Sequence, residues 1–365
     1  MWLRKPAFLS TALFTFSRDK ITSYWTGEIA SDERVIFFPT AAHEWNETHY
    51  SVPLHGWVIE PEEHSKKRRV FIKFLSKTLK VTDPEEKEIL KRRIRPFVVD
   101  NKGSKGPKIE IGASTFRMPR SRKNGHVYAT RLISKQEIMY HLEEEEEEEE
   151  GIKPISYHAF DSALDRKFKG KVFCVPPTGV SVISDIDDTI KVTNSTSKKE
   201  LLKNTFLKEF APVPGMAKLY QNWKTAYQNC FFHFVSASPY QLYEELDDFC
   251  RSEGFPEATF HLKTIRPKDK TLLQLFADPI EYKRQQIEGI MQKYPKRTFV
   301  LVGDSGEKDP EVYAEVYRNF PGQVDSIWIR NINNATVGRL QGVPIERCHF
   351  FQDGIELLEK FVPIT

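Results

Sequence analysis

From residue 180 onward the chain carries five short, uninterrupted apolar runs: VSVIS (180–184), FFHFV (231–235), TFHL (259–262), TFVLVG (298–303) and SIWIR (326–330). A strand with one wet face alternates apolar and polar residues, whereas a strand covered on both faces does not need to. Stretches of helical pattern near 239–253 and 280–293 separate some of these runs. Strands covered on both faces and joined through helices lead to an α/β fold with a doubly wound, mostly parallel sheet. Ligands of such sheets bind beyond the carboxyl ends of the strands, so the residues that follow each run carry the functional information.

Those residues are polar and acidic. VSVIS runs into Asp185, Asp187, Asp188 and Thr189. Residues two apart in an extended chain point the same way, so Asp185 and Asp187 are expected to face one point past the strand end. Two carboxylates held close repel unless a cation lies between them, and oxygen ligands of this kind suit Mg²⁺. FFHFV runs into Ser236-Ala237-Ser238-Pro239. Ser236, with the helix N-terminus that follows, reads as a phosphate contact, while Ser238 before Pro239 reads as an N-cap. TFVLVG delivers Asp304 and, five residues on, Asp309, which reads either as a site carboxylate or as the cap of the next helix. Lys283, near the start of a helical stretch, could reach a phosphate oxygen, although any single lysine also reads as solvated surface.

The first 142 residues have a different pattern. VIFFPT (35–40), VPLHGWVIE (52–60), RVFIKF (69–74) and HVYATRLI (126–133) read as strands, divided by turn clusters, with one helix over Pro84–Arg95 that starts on an N1 proline. A β-rich, sandwich-like unit is expected. Its charge is lopsided: residues 1–142 carry a net +10, the eight consecutive glutamates at 143–150 contribute −8, and the remainder is +1. The clusters at 66–69 and 91–95 could dock on anionic lipid or simply face water; no nucleic-acid motif accompanies them. The expected division is an N-terminal extension (1–24), a basic β-rich unit (25–142), a glutamate-rich segment (143–152) and an α/β unit (153–365). The acid-free residues 1–18 read as a loose amphipathic start or a weak targeting peptide. Cys174, Cys230, Cys250 and Cys348 lack metal-site spacing and read as free thiols of a reducing compartment. No run of 18 apolar residues is present.

The order of these motifs resembles the haloacid dehalogenase superfamily of phosphohydrolases. Within it, DIDDTIK, VSASPYQLY and LVGDSGEKDPEVYAEVY look like the actin-patch-associated, Mg²⁺-dependent phosphatidate phosphatases. FFPT, HGWVIEPE and RPFVVDN look like the β-rich region upstream in that family, so the likeness spans about residues 27–350. The resemblance implies strand order 5-4-1-2-3. It implies that Asp185 is the nucleophile, forming an aspartyl-phosphate, and Asp187 the general acid/base. Mg²⁺ is implied on Asp185, the Asp187 carbonyl and Asp304, with Asp309 as ligand or supporting acid. Ser236 and Lys283 are implied to hold the phosphate, and Thr189 to shape the nucleophile loop. The proline-rich docking tails of the family are not found in these 365 residues.

The expected function is therefore a Mg²⁺-dependent phosphatidate phosphatase at a cytoplasmic membrane surface. The alternatives are a phosphatase for another phosphomonoester and a lipid- or protein-binding scaffold with a vestigial site. Chemistry of this kind should raise the pKa of Asp187 above that of Asp185. The segment 190–214, with five lysines and several large apolar residues, reads either as part of an open site for a bulky substrate or as a helical hairpin packed on the sheet.

Overall fold

The computed structural model describes residues 26–61, 66–144, 151–161, 166–264 and 280–359; the side chains of 66–69, 71 and 141–144 are outside that set. The expectations for residues 1–24, and for the glutamate run past Glu144, fall outside the described residues.

The N-terminal half is built from β1 (Arg34–Phe38), β2 (Thr40–Glu44), β3 (His49–Glu60), α1 (Lys66–Thr78), α2 (Pro84–Ile94), β4 (Asp100–Asn101), β5 (Lys108–Ile111), β6 (Ser114–Arg117), β7 (His126–Ser134), α3 (Lys135–Glu144), β8 (Pro154–Phe160) and β9 (Lys167–Cys174). The strands form one nine-stranded sheet in the order β1-β3-β2-β9-β8-β5-β6, with β4 and β7 also on β3. Residues of β1, β3 and β7 (Val35, Phe37, Val52, Leu54, Val127) share a core with residues of β5, β8 and β9 (Ile109, Ile155, Tyr157, Val172). Pro39 interrupts the expected strand 35–40, which becomes β1 and β2.

Two expectations are corrected here. RVFIKF (69–74) is helical, inside α1. Leu75 and Leu79 are buried four residues apart and Ile72 is partly buried against the same core, so the apolar spacing follows the helical period once the window is widened. The boundary expected at residue 153 does not coincide with the sheets either. β8 pairs antiparallel with β5 and β9, and β9 pairs parallel with β2. The burial of β8 alternates strictly, the signature of a strand in this half-covered sheet rather than in the next one.

The second sheet follows: β10 (Val180–Ser184), α4 (Lys198–Phe206), α5 (Met216–Ala226), β11 (Phe231–Pro239), α6 (Tyr243–Ser252), β12 (Ala258–Lys263), α7 (Ile280–Lys293), β13 (Thr298–Asp304), α8 (Asp309–Asn319), β14 (Val324–Arg330), β15 (Cys348–Phe351) and α9 (Gly354–Glu359). Its order is β12-β11-β10-β13-β14-β15, with every pairing parallel. The five strands expected are in the expected order, and β15 adds an edge. Alternate residues go to opposite layers. Val182, Phe232, Phe234, Val300 and Val302 face α5 and α6. Ile183, Phe231, Val235, Leu301 and Ile327 face α7 and α8. Both faces are thus covered, which is why the strands read as unbroken apolar runs.

The two halves share the first of these layers, which continues into Ile36, Phe38, Trp57, Leu75, Leu79, Leu90 and Ile94. Arg93 of α2 locks the junction. Only 1% exposed, it donates from Nη1 to the carbonyls of Thr205 (2.7 Å) and Lys208 (2.5 Å). Its guanidinium lies 3.7 Å from the ring centre of Phe210, and it reaches Glu209 and Glu245 at 3.3 and 3.4 Å. Arg92 pairs with the same two glutamates at 2.8 and 2.9 Å. Of the two readings for this cluster, lipid-facing or solvated, neither covers these two arginines fully: they pair with two acids of the second half. For segment 190–214 the described structure has one helix rather than the expected hairpin: α4 buries Leu201, Leu202 and Phe206 and packs on α2. Cys174, Cys230 and Cys250 are buried free thiols and Cys348 is half-buried. No described helix is long and apolar enough to cross a membrane.

Candidate active site

The carboxyl ends of β10 and β13, adjacent in the sheet, bring Asp185 and Asp304 together. The backbone N–H of Asp185 donates to the Val302 carbonyl at 2.9 Å, which continues the pairing one residue past β10. Asp309 joins them from the first turn of α8, its Oδ2 accepting the N–H of Asp304 at 3.2 Å. Gly303 makes that approach possible: a Cβ there would lie 2.6 Å from the Asp309 Oδ2. One oxygen from each of Asp185, Asp304 and Asp309 lies within 4.8 Å of the others, and all three residues are buried.

Lys283 enters from α7 with a fully buried side chain. Its Nζ lies 2.6 Å from Asp309 Oδ1, 2.9 Å from Asp185 Oδ1 and 3.1 Å from Glu307 Oε2. One ammonium thus pairs with three acids, Asp185, Asp309 and Glu307, and Asp304 is a fourth acid beside them. Burial, then the neighbouring carboxylates, push Asp185 and Asp304 well above the usual carboxylate range, with Lys283 opposing. Burial also raises Glu307, again opposed by Lys283. Burial lowers the Lys283 pKa, but Asp185, Asp309 and Glu307 outweigh it and hold the ammonium firmly charged.

The cluster is short of positive charge, and its geometry agrees. Asp304 Oδ2 is buried with no hydrogen-bond partner among the described residues, while its Oδ1 accepts from the N–H groups of Gly306 (2.6 Å) and Glu307 (3.2 Å). Three converging carboxylates, one with an unused buried oxygen, fit a hard divalent cation.

Asp187 does not join this cluster. Past Ser184 the chain leaves the extended conformation: Thr189, Ile190 and Lys191 all donate backbone N–H groups to the Ile186 carbonyl, and Asp188 takes a left-handed φ of 57°. The two-residue alternation stops with the strand, and the Asp187 side chain takes partners of its own rather than those of Asp185. The Asp187 carboxylate instead meets Lys191 Nζ (2.7 Å), Thr193 Oγ1 (2.8 Å), Ser238 Oγ (2.8 Å) and Ser236 Oγ (3.2 Å). Burial alone would raise its pKa, but Lys191, Ser238 and Thr193 together hold it at about 2. The expected order, Asp187 above Asp185, is therefore reversed in this structure.

The remaining expected residues surround these two centres. Thr189 Oγ1 lies 3.4 Å from Asp185 Oδ2. Ser236 points at Asp187 and accepts the Ser238 N–H at 2.9 Å, whereas Lys283 sits with Asp185, so the two stand beside different carboxylates. Ser238 is not an N-cap: it lies within β11, its hydroxyl goes to Asp187, and a turn of 3-10 helix at Tyr240–Leu242 precedes α6. Glu307, Lys191 and Thr193 were not singled out. The sequence signal for Glu307 is its place between Asp304 and Asp309. For Lys191 it is an i,i+4 relation to Asp187 that exists only because the loop turns. Asp188 holds that turn, its carboxylate accepting the N–H groups of Thr193, Asn194 and Ser195 at 2.8, 2.8 and 2.5 Å.

Comparison with known proteins agrees with this region. The family model for the catalytic domain of phosphatidate phosphatase APP1 matches residues 180–331. The chain is 33% identical over 164 residues to phosphatidate phosphatase APP1 of Saccharomyces cerevisiae, covering 44% of this chain and 27% of the yeast protein. It is 28% identical over 183 residues to an uncharacterized protein of Schizosaccharomyces pombe, covering 48% and 29%. The chain thus spans less than a third of the length of these relatives.

Proposed function

We propose that residues 180–331, which belong to the phosphatidate phosphatase family, make this chain a metal-dependent phosphatidate phosphatase. It would release diacylglycerol and phosphate at a membrane surface on the cytoplasmic side, with anionic lipid held by the basic N-terminal half. The carrying observation is the convergence of Asp185, Asp304 and Asp309 beside Lys283 at two adjacent strand ends. The doubly wound strand order supports a haloacid dehalogenase-like fold for this unit, with its start placed near residue 175 rather than 153.

Asp185, Asp304 and Asp309 would hold the cation, which we take to be Mg²⁺; once bound, it neutralises charge on the transferring phosphoryl group. Lys283 would hold a phosphate oxygen beside these carboxylates. In the first step a carboxylate oxygen of Asp185 bonds to phosphorus as the ester P–O bond breaks, and the leaving oxygen takes a proton from Asp187. In the second, Asp187 accepts a proton from water, which attacks the aspartyl-phosphate and frees phosphate and the Asp185 carboxylate. Asp187 beside Lys191 is arranged for the second step. The arriving phosphate dianion, a like charge next to it, raises its pKa toward that needed for the first. Ser236 and Ser238 orient its carboxylate, and Thr189 that of Asp185.

The test is phosphate release from phosphatidate, other phospholipids and soluble phosphoesters, with Mg²⁺ or with chelator, for the intact chain and for Asp185→Asn. Mg²⁺-dependent release from phosphatidate that disappears in the folded variant supports the reading. Release from soluble esters alone assigns another phosphomonoester, and no release from any substrate assigns a scaffold.

A further inference from the structure

Helix α1 carries six basic residues and no acid among thirteen (KKRRVFIKFLSKT). Its inner side is occupied by Leu75, followed just past its end by Leu79, in one core with Leu90 and Ile94 of α2. Its outer side is not polar throughout. Val70 and Phe74, one turn apart, are 68% and 62% exposed. Lys73 and Lys77 are exposed on the same side, at the i+3 and i+7 positions from Val70. Among the described residues neither lysine has an ion pair within 4 Å.

Two features of this helix run against its own stability in water. A valine and a phenylalanine stand side by side in solvent, although singly exposed apolar residues are ordinary. Lys73 and Lys77, like charges four residues apart on one side of the helix, repel each other. An anionic, partly apolar surface relieves both. The arginines of α2 make the contrast: they meet Glu209 and Glu245.

We propose that α1 lies on an anionic bilayer, with Val70 and Phe74 entering the headgroup–acyl boundary and Lys73 and Lys77 meeting lipid phosphates. This deepens the reading of the chain as a lipid phosphatase by naming the surface that holds it on the membrane. The helix is joined to the site by protein: α1 packs on α2, and Arg93 of α2 bonds the carbonyls of 205 and 208, in the segment that continues from the Asp185–Thr193 loop.

The experiment is sedimentation of the full chain with phosphatidylcholine vesicles, with and without phosphatidylserine, at low and high salt. Expected are binding to the anionic vesicles only, a steep loss with salt, roughly tenfold weaker binding for Phe74→Ser with Val70→Ser, and roughly fivefold weaker binding per charge removed in Lys73→Gln and Lys77→Gln. All four sites are exposed, so thermal melts of the variants should overlay the parent. Activity on vesicle-borne phosphatidate should fall in parallel, while activity on a water-soluble phosphoester should not change. Asp185→Asn should bind vesicles like the parent, so loss of catalysis and loss of docking are read separately. Equal binding to neutral and anionic vesicles, salt-insensitive binding, or wild-type affinity in the Phe74 variant overturns the proposal. So does self-association that depends on Phe74 in place of vesicle binding, which would assign the face to a second copy of the chain.

Discussion

Two buried acid–lysine centres lie two residues apart in sequence and are built to opposite charge balance. Around Asp187, one carboxylate meets one ammonium, Lys191, and three hydroxyls. Around Asp185, three carboxylates pair with one ammonium, Lys283, and Asp304 stands beside them as a fourth acid. The first is complete as protein and holds its acid ionised. The second is complete only when something positive is added. A structural ion pair and a site awaiting a ligand can thus be told apart by counting charges within reach, even where burial is the same.

The sharpest way to break this contrast is Asp185→Asn. Phosphate release should fall by at least about a thousandfold, because the attacking oxygen is lost, while circular dichroism stays that of the parent. If Asp187→Asn proves the more damaging and Asp185→Asn is tolerated, the roles of the two centres are exchanged.

Next in size is stability. Lys191→Met leaves Asp187 as a buried charge with hydroxyls alone and should cost about 3 kcal/mol or more in denaturant unfolding. Lys191→Met with Asp187→Asn should recover most of that loss. Asp304→Asn in chelator should do the opposite of the single lysine variant: relieving crowding, it leaves the metal-free fold as stable or more so. Equal destabilisation by both would erase the distinction.

Metal linkage comes third. Mg²⁺ at about a hundred times its dissociation constant should add about 2.7 kcal/mol to the parent and little to Asp304→Asn, seen as the presence and absence of a rise in melting temperature.

The smallest effect is in acid, with chelator present. Asp187, held at about 2 against an ordinary carboxylate value of 3.8, stabilises the fold above the higher value and loses that contribution as pH falls toward the lower, about 2 kcal/mol in all. Asp185 and Asp304, shifted upward, disfavour folding progressively as pH rises above 3.8. Asp187→Asn should flatten the acid limb of the stability curve, and Asp304→Asn should flatten the loss on the rising side. Identical curves for both variants would count against the contrast.

Much of the second sheet was legible because its strands are covered on both faces and so appear as plain apolar runs. Asp185 and Asp304 stand out from their places just after such runs, whereas Asp309 stays open between site carboxylate and helix cap, and Lys283 is lifted above the other lysines only by the order of the motifs. What failed depended on geometry that strand periodicity does not carry. Asp187 departs from the alternation because the chain turns after Ser184. Ser238 reads as a cap because its nearest apparent partners are the N–H groups ahead of it in the chain, whereas its partner is Asp187 from the loop after β10. In the N-terminal half, α1 was mistaken for a strand because a six-residue window is too short to separate period 2 from period 3.6. The membership of β8 and β9 was hidden because pairing across more than a hundred residues, Ala42 with Cys174 for instance, leaves no local mark.

Arg93 has a practical consequence for anyone dissecting the chain. A fragment cut to the family-matched residues 180–331 would leave the carbonyls of Thr205 and Lys208 without this donor, uncover the faces of Leu202 and Phe206, and strip the Tyr294 hydroxyl of its acceptor at Ala42. Such a fragment should come out of expression insoluble or inactive while carrying every acid of the site, and silence from it would say nothing about the chemistry of the whole.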